Sequence, residues 1–127
     1  MALIKGVIHA EKSCLVRVHT ADVLSDLLGV VSKKQNSWGL SDALEQIHQE
    51  DSGILLLLGK HQTEQDILDR LLGEESNHRV DYRHVGVGSQ ILKALGVKKM
   101  RLLTNANRFY ALSGFGLEVT EIVSAKL

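Results

Sequence analysis

Asp81-Tyr82-Arg83-His84-Val85-Gly86-Val87-Gly88-Ser89-Gln90-Ile91-Leu92-Lys93-Ala94-Leu95-Gly96-Val97-Lys98-Lys99-Met100-Arg101-Leu102-Leu103-Thr104 is the stretch on which the reading of this chain turns. Val87, Ile91, Leu92 and Leu95 recur at helical spacing, and Gly96 stops the run before a strand from Met100 to Thr104. Gly86-Val87-Gly88 reads as a turn that opens the helix, and free amides at such a turn are able to hold a phosphate. The stretch is thus turn, helix, turn and strand in one piece. Asn105 then caps a helix carrying Ala106, Phe109 and Tyr110, and Gly114 stops it before a strand from Leu117 to Val123.

The same grammar extends upstream. Leu3 to Ile8 and Cys14 to His19 read as strands joined in a hairpin; the second places Arg17 and His19 on one face, with Val16 and Val18 on the other. Asp22 caps a short helix through Leu28, residues 32–37 form a polar loop, and Leu40, Ala43, Leu44 and Ile47 mark the clearest amphipathic helix. Ile54 to Leu58 is apolar on both faces, which predicts a central parallel strand. Thr63 with Asp66 caps a helix bearing Ile67, Leu68, Leu71 and Leu72, which Gly73 closes. Alternating strands and helices predict an α/β fold: a mixed, partly parallel sheet with helices packed on it.

The chain has 127 residues, enough for one domain, and we read residues 1–127 as that single domain. Hydrophobic residues at 44% and charged residues at 24% exclude a disordered chain, and 15 basic against 15 acidic side chains leave no field for nucleic acid or a membrane surface. Lys98, Lys99 and Arg101 are too few for a polyanion footprint and read as the solvated lip of a strand. No apolar run has the length of a membrane span or signal peptide, and the one cysteine, Cys14, predicts a reduced, cytoplasmic protein without disulfides. In a strand, Cys14 reads as a small core residue. His48, His78 and His84 read as solvated side chains.

Leu15-Val16-Arg17-Val18-His19-Thr20, Asp81-x-Arg83, Thr104-Asn105 and Gly114-Phe115-Gly116-Leu117-Glu118-Val119 together resemble the core of GTP cyclohydrolase II, the family that opens the guanine ring of GTP at the start of riboflavin synthesis. The resemblance runs from Ala2 to about Val123. It implies a GTP cyclohydrolase II-like fold, Asp81 and Arg83 as proton acceptor and nucleophile, and Arg17, His19 and Thr104 at the nucleotide. In the family three thiolates hold a catalytic zinc. Here those positions read Ala21-Asp22 and the loop from Ser32 to Asn36, with no cysteine, so no metal and no other cofactor is expected. The charged loop after the central strand is replaced by Gly59-Lys60-His61-Gln62-Thr63-Glu64, and the segment from Gly73 to Val80 is shorter than its family counterpart.

These departures imply a catalytically inactive domain, with Asp81 and Arg83 vestigial and only weak binding of GTP or another nucleotide. The Leu3-Ile4-Lys5-Gly6 strand normally follows an earlier one in the family, so the chain reads as part of a longer polypeptide, beside an N-terminal dihydroxybutanone phosphate synthase domain. Its role would then be structural or regulatory. An active variant releasing formate and pyrophosphate, and a nucleotide-sensing module, are the rival readings. Family domains pair, so a homodimer is expected; Trp38, Phe109, Tyr110 and Phe115 are candidates for its surface, with core packing the alternative for each.

Overall fold

A computed structural model describes residues 1–21, 38–59, 63–72, 82–104 and 116–124; at 70 and 82–85 it describes the backbone alone. The elements in chain order are β1 (Ala2–Lys5), β2 (Cys14–Thr20), α1 (Leu40–His48), β3 (Gly53–Leu58), α2 (Glu64–Leu71), α3 (Tyr82–Ala94), β4 (Lys99–Leu103) and β5 (Glu118–Val123). The strands form one sheet in the order β1-β3-β2-β4-β5. All neighbours in it run parallel except β1, which lies antiparallel to β3. The fold is the mixed α/β sheet that the sequence predicts.

Burial explains the order. Ile54, Leu55 and Leu56 are each at most 1% exposed, so β3 is covered on both faces, and Leu15 and Val16 make β2 equally dry. Cys14, Val16, Ile54, Leu56, Met100 and Leu102 point to one face, under Leu92 of α3 and Val97. Leu15, Leu55 and Leu103 point to the other, under Ala43 and Ile47 of α1. The β2–α1–β3 connection steps one way along the sheet and β3–α3–β4 steps back, with their helices on opposite faces. Both crossovers therefore share one hand, as strand twist requires.

Two expectations are corrected here. β1 and β2 form no hairpin: β3 lies between them, pairing Leu3 with Leu55 on one side and Arg17 with the same Leu55 on the other. A strand as dry as β2 needs a hydrogen-bonded, apolar neighbour along each edge, and β3 and β4 supply them. Secondly, α3 begins at Tyr82, so Gly86 and Gly88 are inside the helix and do not form a turn ahead of it. A Cβ at Gly88 would stand 3.5 Å from Leu56 Cδ2, 3.6 Å from Val18 Cγ1 and 3.8 Å from Leu58 Cδ1, so this glycine faces the sheet at ordinary packing distance. The phosphate cradle read at Gly86-x-Gly88 is withdrawn with it, because amides within a helix bond to its own carbonyls.

Other local readings hold. Gly96, at φ +89°, ends α3 in the left-handed conformation that favours glycine. Thr63 Oγ1 accepts the Asp66 N–H at 3.1 Å while Asp66 Oδ2 accepts the Thr63 N–H at 2.9 Å, a reciprocal cap on α2. The expected helix from Asp22, the polar loop at 32–37 and the helix after Asn105 lie outside the described residues.

Candidate functional site

The parallel strands β2, β3 and β4 all end on one side of the sheet, where α/β folds gather their ligands. Alternation along β2 puts Arg17 and His19 on the α1 face, and the register of β2 with β4 brings Arg17 level with Leu103. Its guanidinium Nη1 donates to the Leu103 carbonyl at 3.0 Å, and Nη2 donates to the Trp38 carbonyl at 3.1 Å. Nη2 also lies 3.3 Å from His19 Nδ1. A guanidinium has only donors, so Nδ1 is the acceptor and the ring proton sits on Nε2. His19 is 6% exposed.

Thr104 follows directly on β4, and its N–H donates to the Val123 carbonyl at 3.1 Å. The same carbonyl accepts the indole N–H of Trp38 at 2.8 Å. Trp38 packs against the core beneath α1, so of its two readings the structure adopts core packing. Arg17, His19 and Thr104, expected at the nucleotide, thus share one end of the sheet. α3 runs back against the strands with Gly88 over the end of β3, which puts its first turn, and with it the backbone of Arg83, at the same end. Asp81, Phe109, Tyr110 and Phe115 lie outside the described residues. What the sequence reading missed is the pair of main-chain acceptors on Arg17, for which no side-chain pattern exists.

The family's zinc does not fit the donors described here. Cys14 is 2% exposed on the α3 face, and its Sγ donates to the Lys99 carbonyl at 3.9 Å. Burial pushes its thiol above the ordinary value, against a smaller opposing effect of a backbone hydrogen bond, so it stays protonated where a ligand must be a thiolate. Ala21, at one of the departed positions, donates its N–H to the Leu58 carbonyl at 2.9 Å and carries no donor atom in its side chain. Among the described residues no three His, Cys, Asp or Glu side chains converge as a ligand set.

A mixed sheet with helices on both faces and a polar cluster at the carboxyl ends of its parallel strands defines an α/β domain. Residues 1–124 match the family model for GTP cyclohydrolase II, and the chain belongs to that family. It is 38% identical over 128 residues to a 3,4-dihydroxy-2-butanone 4-phosphate synthase of Neisseria meningitidis, with 99% of this chain and 35% of that protein covered. A protein of the same name from Pseudomonas aeruginosa is 42% identical over 132 residues, covering 99% of this chain and 36% of its own length. The riboflavin biosynthesis protein RibBA of Cytophaga hutchinsonii is 33% identical over 142 residues, covering the whole chain and 35% of the relative. The chain therefore spans about a third of these relatives. It is a member of a riboflavin biosynthesis family, and among the described residues no helix is long and apolar enough to cross a membrane.

Proposed function

We propose that this is a catalytically silent GTP cyclohydrolase II-like domain of riboflavin biosynthesis, acting in the cytoplasm as a structural or regulatory unit beside a dihydroxybutanone phosphate synthase domain. The observation that carries the reading is the donor set. Water activation by zinc needs about three protein ligands, and the family's thiolate positions here hold no sulfur while the one cysteine is committed to the core. The alignments support it: the match to RibBA of Cytophaga hutchinsonii runs over 142 positions, 15 more than this chain has residues, whereas that to the Neisseria synthase runs over 128. The chain follows the relatives named for the synthase activity with fewer interruptions.

Incubation with GTP is expected to release formate at the rate of the blank, and elemental analysis is expected to find no stoichiometric zinc. Formate above the blank that Asp81→Asn or Arg83→Ala abolishes, or one zinc per chain retained against a weak chelator, would return the domain to the active enzymes. The cluster of Arg17, His19 and Thr104 favours a second reading, a weak nucleotide sensor. GTP titration calorimetry separates it: heat of binding lost in Thr104→Ala supports sensing, and none supports scaffolding alone.

A further inference from the structure

We propose that Trp38 is a positioning residue of the polar cluster at the sheet end: it closes a ring of hydrogen bonds that fixes Arg17 and Thr104 against each other. What binds there rests on the nucleotide-sensing reading above; the ring itself belongs to the unliganded chain and stands apart from it.

The ring passes through a single peptide group. The Leu103 carbonyl accepts Arg17 Nη1 at 3.0 Å, and the N–H of the same peptide, at Thr104, donates to the Val123 carbonyl at 3.1 Å. That carbonyl accepts a second donor, the Trp38 indole N–H at 2.8 Å, with its other lone pair. The Trp38 carbonyl in turn accepts Arg17 Nη2 at 3.1 Å and closes the ring. Four bonds thus join β2, the approach to α1, the end of β4 and the end of β5.

The residue type matters as much as the place. Indole carries one donor and no acceptor, so a half-buried tryptophan needs a carbonyl within reach of its ring edge. Trp38 packs with Leu40 and Val123 against Leu15, Leu55 and Leu103, which holds the N–H on its acceptor. Leucine or phenylalanine at this position would fill apolar space and leave the Val123 carbonyl to the Thr104 amide alone. α1 is tied to β5 at its far end as well, where Arg101 joins Glu50, just beyond the helix, to Glu121. A shift of β5 therefore carries α1 and Trp38 with it.

Two groups that hold one ligand bind it more tightly when they are already fixed relative to each other, because less is ordered on binding. Without the indole N–H, the end of β5 and Thr104 are freer to move against Arg17, and a ligand touching both is weakened although Trp38 itself does not touch it. His19 follows Arg17, since Nη2 also lies 3.3 Å from its Nδ1. Trp38 is the one tryptophan of the chain, so its emission reports this ring directly.

In the ligand-free chain, Trp38→Phe keeps the carbonyl and an aromatic ring and removes the indole N–H. The Thr104 amide should then lose about tenfold more exchange protection than Ile54 does, and the His19 Nδ1 resonance, which reports its hydrogen bond, should shift. Ile47→Val, which loosens the same packing under α1, should lower Thr104 and Ile54 alike and leave Nδ1 in place. In the parent chain, which needs no variant to fold, the Trp38 indole N–H and the Thr104 amide should have protection factors within about threefold of each other, because they open together. With GTP as the probe, tryptophan emission should change at the midpoint of the binding heat, and Trp38→Phe should weaken binding roughly tenfold, the worth of one hydrogen bond. A loss at Thr104 no larger than at Ile54, an unmoved Nδ1, or parent protection factors more than about tenfold apart would overturn the proposal. GTP binding at full strength in Trp38→Phe overturns it too and leaves the sensor reading standing. No heat with the parent chain ends the sensor reading alone, and the exchange and His19 results still decide the ring.

Discussion

Arg17 does more for the frame than its position in a strand suggests. Its guanidinium reaches the main chain of β4 at Leu103 and the approach to α1 at Trp38, two segments remote from it in sequence, and in the same gesture sets the tautomer of His19. Hydrogen bonds to a charged group contribute more than neutral ones, and removing the donor leaves two half-buried carbonyls to find other partners. We expect Arg17→Ala to cost about 2–3 kcal/mol, read as a lower urea midpoint with an unchanged slope. Arg17→Lys should recover only part of that, since an ammonium lacks the planar fork that spans two acceptors. An Arg17→Ala chain as stable as the parent would mean that the guanidinium serves a ligand and not the frame.

At the scale of the elements, α3 carries the most instructive test. Gly88 is buried, yet the space a methyl group would occupy offers contacts of 3.5–3.8 Å, the distance of ordinary packing. Gly88→Ala should therefore stabilise the domain by about 0.5–1 kcal/mol through helix propensity, while Gly88→Leu should destabilise it by overpacking against Leu56 and Val18. Thermal unfolding of the two variants checks both signs. The same residue shows where the sequence is ambiguous: a glycine stands in a turn or at a buried helix position alike, and spacing does not distinguish them. The Thr63–Asp66 cap and the amphipathic run of α1 are legible because their causes are local. The place of β1 is not, because adjacency in sequence suggests a hairpin while the choice of neighbour depends on how dry β2 and β3 are as a pair. For the site, strand alternation puts Arg17 and His19 together, but the Leu103 and Trp38 carbonyls that hold Arg17 are main-chain atoms with no signature in residue type.

The whole molecule is unevenly held. Arg101 shows how its β5 flank is tied: Nε donates to Glu121 at 3.1 Å and Nη1 to Glu50 at 3.3 Å, joining β4 to β5 and to the turn after α1. Partial burial works against the charge on Arg101, but the two carboxylates outweigh it and its pKa is raised. With Arg101 and Glu50 about a third exposed and Glu121 more than half, such a network contributes no more than about 1 kcal/mol after screening. The dry strands hold far more. Val16, Ile54 and Leu56 are fully buried, whereas α2 leaves Leu68 and Leu71 at 47% and 57% exposed, and Leu72 just after it is 63% exposed. Local stability follows buried apolar contact, so amide exchange should be slowest at Val16, Ile54 and Leu56, and at least about a hundredfold faster along α2. Protection of α2 equal to that of β3 would instead show that its apolar face is covered in solution.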